Sequence, residues 1–227
     1  MGFKVRGYTR DVPQEKVRDY SLFAIACEGT EREPDYFRLF DGIDRIKVDI
    51  IEDGEGSAPS KVLARVKDYI SENQLDADYG DTLWCVIDKD KWPQEQIEEL
   101  HAFCNQKGNR HLVISNPCIE IWLLYHKRAD LKELNITTAQ DAKRELDNIE
   151  KGGYYYIKYL PLMLKAIENA SHADTNPNGY MPELLQTKVY QLGNALYNRM
   201  GKVRFKKFVD SLPIIEKEIL AKKEKND

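Results

Sequence analysis

The chain has 227 residues, of which 42% are hydrophobic and 32% charged, and this balance fits one large domain or one domain with an appendage. Its net charge of −4 argues against a protein that coats nucleic acid, but is compatible with an enzyme that grips nucleic acid locally. No apolar stretch is long enough to span a bilayer and the charged N-terminus lacks an apolar signal region, so we expect a cytoplasmic protein.

The first part of the chain alternates predicted strands with predicted helices. Residues 1–19 have few apolar anchors and are expected to form an arm. Short apolar or alternating runs predict four strands, at residues 22–27, 46–50, 82–87 and 110–114. Helical spacing follows each strand, and prolines mark the expected helix starts at Pro34, Pro59, Pro93 and Pro117, the last after a Ser115-Asn116 cap. This order predicts an α/β domain with a parallel, doubly wound sheet over residues 20–130.

The pattern changes after His126, where no further strand is predicted. Helical spacing covers residues 139–149, 157–169, 188–200 and 212–223. We therefore expect a C-terminal helical appendage over residues 131–221, which packs on the sheet or forms a separate domain. The charged residues 222–227 are expected to be a disordered tail.

The cysteines do not indicate a metal site. Cys27, Cys85, Cys104 and Cys118 show no CxxC spacing, so a zinc site is not predicted. Two of them lie in apolar strands, where a buried, reduced thiol is expected.

Carboxylates follow two of the predicted strands directly. Glu28 comes after the first strand, and Asp88 and Asp90 come after the third. Alternation along an extended chain points Asp88 and Asp90 to one side and Lys89 to the other. The carboxyl edge of an open α/β sheet is where ligands bind, and clustered carboxylates suit Mg²⁺ or Mn²⁺. The alternative is that these acids only form a turn and cap the following helices.

Two residues of the fourth predicted helix also qualify as site residues. Glu120 interrupts an apolar helix and is either solvent-facing or a fourth acid in the cleft, as a ligand to a second metal. His126 ends the same helix and is either a C-terminal residue favoured by the helix dipole or a catalytic group.

A basic segment lies near the C-terminus, with Arg199, Lys202, Arg204, Lys206 and Lys207 uninterrupted by acids. It is either a solvated helix end or a phosphate contact. No phosphate-binding, dinucleotide-binding or serine-hydrolase motif occurs, so those activities are not predicted.

Several blocks together resemble a known family. The first block is Cys27-Glu28-Gly29 with Glu33-Pro34-Asp35-Tyr36-Phe37, the second runs from Trp84 to Asp90, and the third runs from Ser115 to His126; residues 166–170 and 187–192 agree as well. Strands that end in Glu-Gly and Asp-x-Asp resemble the Toprim fold of topoisomerases, primases and OLD-type nucleases. The complete set of blocks resembles the RloB-like family, over most of residues 20–200.

The resemblance implies a Toprim-like, mostly parallel sheet flanked by helices, and a metal-dependent nuclease of bacterial phage defence. By position, Glu28, Asp88 and Asp90 correspond to the Toprim acids, while Asn116, Glu120 and His126 match further family positions. It also implies an ATPase partner of AAA or ABC type. One departure is Arg32, which stands where the family usually has threonine, and which either contacts phosphate or loosens the metal site.

The chemistry that this implies is phosphodiester cleavage. Asp88 and Asp90 would hold Mg²⁺ or Mn²⁺, and Glu28 would bind the same ion or take a proton from water. Arg32 and Lys91 are the expected phosphate contacts on DNA or RNA. The alternatives are a non-catalytic subunit that docks onto an ATPase and, ranked last, nucleotidyl transfer.

Overall fold

The computed structural model describes residues 18–29, 32–43, 45–52, 56–89, 92–150 and 155–223. Its strands are β1 (Ser21–Cys27), β2 (Ile46–Ile50), β3 (Thr82–Asp88) and β4 (Arg110–Ser115). Its helices are α1 (Arg32–Arg38), α2 (Pro59–Glu72), α3 (Gln94–Cys104), α4 (Glu120–Tyr125), α5 (Ala139–Ile149), α6 (Met163–Ala173), α7 (Val189–Met200) and α8 (Lys202–Lys223).

The four strands form one parallel sheet in the order β2-β1-β3-β4. β1 and β3 are direct neighbours, with Ala26 opposite Cys85 and Cys27 opposite Val86. The strands that end at Cys27 and Ile87 were expected to be parallel and either adjacent or one strand apart, and they are parallel neighbours. The α/β class and the C-terminal helices are confirmed as well.

Helices cover both faces of the sheet. One face packs against α2 and α3 through residues such as Ala24, Cys85 and Leu100. The other face packs against α1 and the C-terminal helices through residues such as Phe23 and Trp122. Because β1 and β3 are buried on both sides, their sequences are continuous apolar runs, whereas the sequence of the edge strand β2 alternates.

The helices after residue 130 share the core of the second face. Buried residues of α5, α6, α7 and α8 belong to the same apolar cluster as β1 to β4. The C-terminal region therefore packs on the sheet, as one of the two expectations had it. Among the described residues, no helix combines the length and the apolar character needed to cross a membrane.

Three helix starts differ clearly from prediction. α6 begins at Met163 rather than at residue 157, because Tyr156–Lys158 and Leu160–Leu162 form short 3₁₀ turns instead. Pro117 does not begin a helix: its peptide bond with Asn116 is cis, and α4 starts at Glu120 without a side-chain cap. α8 begins at Lys202 rather than at residue 212. Its buried Phe205, Phe208 and Leu212 have helical spacing, which the surrounding basic residues concealed.

The segment before α7 closes the edge of the sheet beside β4. Ser115 and Thr187 form an antiparallel bridge and share a hydrogen bond of 2.8 Å between their hydroxyl groups. Lys188 is buried and donates to both carboxylate oxygens of Asp174, at 2.8 and 2.6 Å, and to the carbonyl of Asn176 at 2.6 Å. These three acceptors match the three donors of an ammonium group, so this buried charge is fully hydrogen-bonded.

Candidate active site

A cleft of about 380 Å³ lies at the carboxyl ends of β1 and β3. The chain leaves β1 toward α1 on one face and leaves β3 toward α3 on the other face. Neighbouring strands whose connections diverge in this way leave a crevice between their ends, which is where ligands bind in open α/β sheets. The charged residues that line the cleft are Glu28, Arg32, Glu33, Asp88, Glu120 and Lys143.

Glu28 joins the ends of the two central strands. Its Oε2 accepts a hydrogen bond of 2.9 Å from the backbone N–H of Asp88, and its Oε1 accepts one of 2.8 Å from the Trp92 indole. The carboxylate is therefore held in one orientation. Each carboxylate oxygen has two lone pairs, so both oxygens retain acceptor capacity toward the cleft.

Asp88 is half-buried at the end of β3 and lines the cleft. Burial raises its pKa well above the usual value, and the negative charges of Glu33, Glu28 and Glu120 raise it further. A hydrogen bond from the backbone of Ile119 opposes this shift. Repulsion from three neighbouring acids shows that the cleft concentrates negative charge around Asp88.

Glu120 lies at the start of α4 with only 2% of its side chain exposed. It lines the cleft, so the expectation of a solvent-facing position is wrong, while its role as a ligand to a second metal stays a prediction. Its Oε1 accepts a charged hydrogen bond from Arg32, the predicted phosphate contact. Its Oε2 is buried and has no hydrogen-bond partner among the described residues.

Glu33 is an acid of the cleft that the sequence did not indicate. Burial raises its pKa, and repulsion from Glu120 and Glu28 contributes, against hydrogen bonds from the backbone. Glu33 belongs to the first family-like block, but no role in the site was predicted for it. Its spacing from Tyr36, Phe37 and Phe40 places it on the buried face of α1, and this was the available signal.

Lys143 contributes a second cation from a distant part of the chain. It lines the cleft from α5, whose start is fixed by a capping box between Thr138 and Asp141. The pKa of Asp141 is well below its usual range because of hydrogen bonds from Thr137 and Thr138. Nothing in the local sequence distinguishes Lys143 from other surface lysines.

The donors in the cleft suit Mg²⁺ or Mn²⁺ in kind, because all of them are carboxylate oxygens. Within the described part of the chain, however, no three His, Cys, Asp or Glu side chains form a group that could hold one ion. Asp90 and Lys91 lie outside the described residues. The buried and unpartnered Oε2 of Glu120 is an oxygen that a cation would satisfy.

Asn116 and His126 do not line the cleft. Asn116 is buried, and its side-chain amide donates to the carbonyl of Pro182 at 3.0 Å. His126 is fully buried, and burial lowers its pKa to about 3, so it is neutral. Its Nδ1–H donates to the carbonyl of Trp122 and its Nε2 accepts from the Tyr36 hydroxyl, each at 3.0 Å. His126 is the C-cap residue of α4, as one of the two expectations had it, but a neutral imidazole gains no charge interaction with the helix dipole.

The basic segment lies at the amino ends of the strands, whereas the acids lie at their carboxyl ends. Arg199 donates to the carbonyl of Arg45, which immediately precedes β2, at 3.4 Å. The exposed Lys202, Lys206 and Lys207 follow on the first turns of α8. Since the cleft is at the carboxyl edge, these residues are not part of it.

Comparison with known proteins identifies a family. A family model described as RloB-like protein matches residues 23–196 of the chain. Neither the curated proteins nor the solved structures contain a match.

Proposed function

Since the chain belongs to the RloB-like family and gathers four carboxylates in one cleft, we propose that it is a nuclease dependent on Mg²⁺ or Mn²⁺. We further propose that its sheet is of the Toprim type and that it acts in bacterial defence against phage. The observation that carries the proposal is that Glu28, Glu33, Asp88 and Glu120 line one cleft at the carboxyl ends of β1 and β3, where their negative charges repel one another. A divalent cation would relieve that repulsion.

The residues have distinct roles in this proposal. Asp88, Asp90 and Glu28 would hold the cation, which supplies charge stabilisation and an activated water when it is bound. Trp92 keeps Glu28 oriented by its hydrogen bond of 2.8 Å. Arg32, Lys91 and Lys143 would contact the phosphates of DNA or RNA.

The experiment is a cleavage assay on labelled DNA and RNA with Mn²⁺ or with chelator. We expect cleavage that requires the metal and that falls by more than about a hundredfold in Asp88→Asn, since two-metal chemistry fails without a ligand. Asp68→Asn is the matched control, because Asp68 is exposed on α2. Equal cleavage by wild type and Asp88→Asn would exclude this site as the catalytic centre.

A second candidate function is a non-catalytic subunit that binds an ATPase of AAA or ABC type. The observation in its favour is that both oxygens of Glu28 accept structural hydrogen bonds and that Glu120 is paired with Arg32. In this case phage defence would persist in an Asp88→Asn strain. The helices after residue 130 would then be the expected contact surface.

A further inference from the structure

We infer that Arg32 is an internal cation of the cleft: its guanidinium holds Glu120 while no metal is bound, and a divalent ion competes with it for that carboxylate. This competition presupposes the metal site of the proposed function. It adds to that site a competitor that belongs to the chain itself.

The two partners of the ion pair differ in exposure. The side chain of Glu120 is 2% exposed, whereas that of Arg32 is 38% exposed. Glu120 cannot turn toward water without unpacking α4, all six residues of which are buried. A long arginine side chain at the rim can instead extend its charged end into solvent. Arg32 is therefore the partner that leaves.

Glu120 retains capacity for a second cation. Arg32 donates to its Oε1, but its Oε2 is buried and lacks a hydrogen-bond partner among the described residues. The neighbouring Cys118 thiol contacts the carbonyl of Ala139 at 3.8 Å and also lies beside the Glu120 carboxylate, whose negative charge helps to raise the pKa of that thiol. A buried carboxylate oxygen without a donor is unfavourable, and an ion that enters the cleft would satisfy it.

A guanidinium and a divalent ion repel each other strongly when both lie against one carboxylate. Removing the charge of Arg32 should therefore strengthen metal binding when no nucleic acid is present. If Arg32 instead helped to build the metal site, the same change would weaken binding.

The experiment measures Mn²⁺ affinity from the electron paramagnetic resonance signal of the free ion, without nucleic acid, at constant ionic strength. We expect Arg32→Gln to bind Mn²⁺ roughly tenfold more tightly than wild type, because a nearby like charge has been removed. The double variant Arg32→Gln/Glu120→Gln should lose this gain. Arg38→Gln is the matched control, because Arg38 lies on the same helix but pairs with Asp35 and Glu52 outside the cleft.

The outcomes separate this competition from the proposed function. If wild type and Arg32→Gln bind Mn²⁺ equally, or if Arg32→Gln binds it more weakly, the competition is wrong while the metal site stands. If neither protein binds Mn²⁺, the metal site of the proposed function is wrong, and the competition between Arg32 and the metal is then wrong as well. A gain that persists in the double variant would show that Glu120 is not the contested ligand.

A measurement on unaltered protein covers the case in which Arg32→Gln does not fold. The side-chain Nε–H resonance of Arg32 should shift when Mg²⁺ is added, because the guanidinium leaves Glu120. The corresponding resonance of Arg38 should stay in place. An Arg32 resonance that does not move while Mg²⁺ binds would overturn the competition.

Discussion

The carboxylate of Glu33 lies directly against Gly29. A β-carbon placed on Gly29 would be 2.3 Å from one carboxylate oxygen of Glu33 and 2.8 Å from the other. Real β-carbons essentially never approach another heavy atom below 3.0 Å. Residue 29 must therefore lack a side chain for Glu33 to keep its place in the cleft.

Gly29→Ala should disturb the cleft more than the fold. The new β-carbon would meet the carboxylate of Glu33, which is the flexible end of a side chain and can move away. We therefore expect the free energy of unfolding to change by less than about 1 kcal/mol. Mn²⁺ affinity should fall several-fold because Glu33 leaves its position. Urea unfolding and metal titration measure the two effects. Gly108→Ala is the control, since a β-carbon there meets nothing within 4 Å. Unchanged Mn²⁺ affinity would show that the position of Glu33 is unimportant.

Asp88→Asn should stabilise the metal-free protein. The substitution keeps the shape of the side chain and removes a charge that burial and three neighbouring acids disfavour. We expect the free energy of unfolding at pH 7 to rise, because the neutral amide is penalised neither by burial of a charge nor by the neighbouring carboxylates. The exposed Asp68→Asn should change stability little. A loss of stability in Asp88→Asn would contradict the unfavourable electrostatics.

His126 should make stability depend on pH. Its native pKa is about 3, and its unfolded value is about 6.5. Between these values the unfolded chain binds a proton that the native protein excludes. The contribution of His126 is therefore fully present above about pH 6.5 and decreases by about 2 kcal/mol as the pH falls from 7 to 5.

The difference between wild type and His126→Phe isolates this contribution from that of the acids. His126→Phe should be less stable at pH 7, because Tyr36 loses its acceptor, but the deficit should shrink toward pH 5. Chemical unfolding at a series of pH values measures this trend. The exposed His172→Phe should show a constant difference from wild type, and a constant deficit in His126→Phe would refute the burial of a neutral imidazole.

Lys188→Met should be strongly destabilising. It would leave Asp174 as an unpaired charge whose side chain is 0% exposed, and breaking a buried pair in this way costs about 3–5 kcal/mol. The double variant Lys188→Met/Asp174→Leu should recover part of that loss, because the lone charge is gone. Thermal unfolding measures both, with the exposed Lys165→Met as the control. A loss as small as that of Lys165→Met would mean that the pair contributes little.

Much of the fold could be predicted because the buried strands are short apolar runs and several helix boundaries carry local signals. Pro59 begins α2 as expected, and the predicted range 139–149 matches α5. The start of α8 was missed because Phe205 and Phe208 are separated by basic residues that obscure the apolar spacing. The helix start predicted at Pro117 was wrong because a proline after Ser-Asn is compatible with either a helix start or a turn.

Glu28 and Asp88 could be predicted from the strand ends, Glu120 from its place in an apolar helix, and Arg32 from its departure from the family pattern. Glu28 and Asp88 meet because parallel strands end at one edge, and the apolar runs placed both residues there. Glu33 depends on which face of α1 is buried, a question that the apolar spacing could have answered. Lys143 lies in the cleft because of how α5 packs. That packing depends on tertiary contacts and cannot be predicted from the local sequence.

The position of Lys143 has a consequence for how a partner could act. An α-helix with its side chains is only about 10 Å across, and Arg144, the residue next to Lys143, is 60% exposed. A protein bound to the outer side of α5 would thus lie one helix width from the carboxylates. Under the proposed function, a partner on α5 could therefore change the charge balance of the cleft without contacting nucleic acid. A fragment that ends near residue 130 would keep the acids of the cleft but lose Lys143, one of its cations.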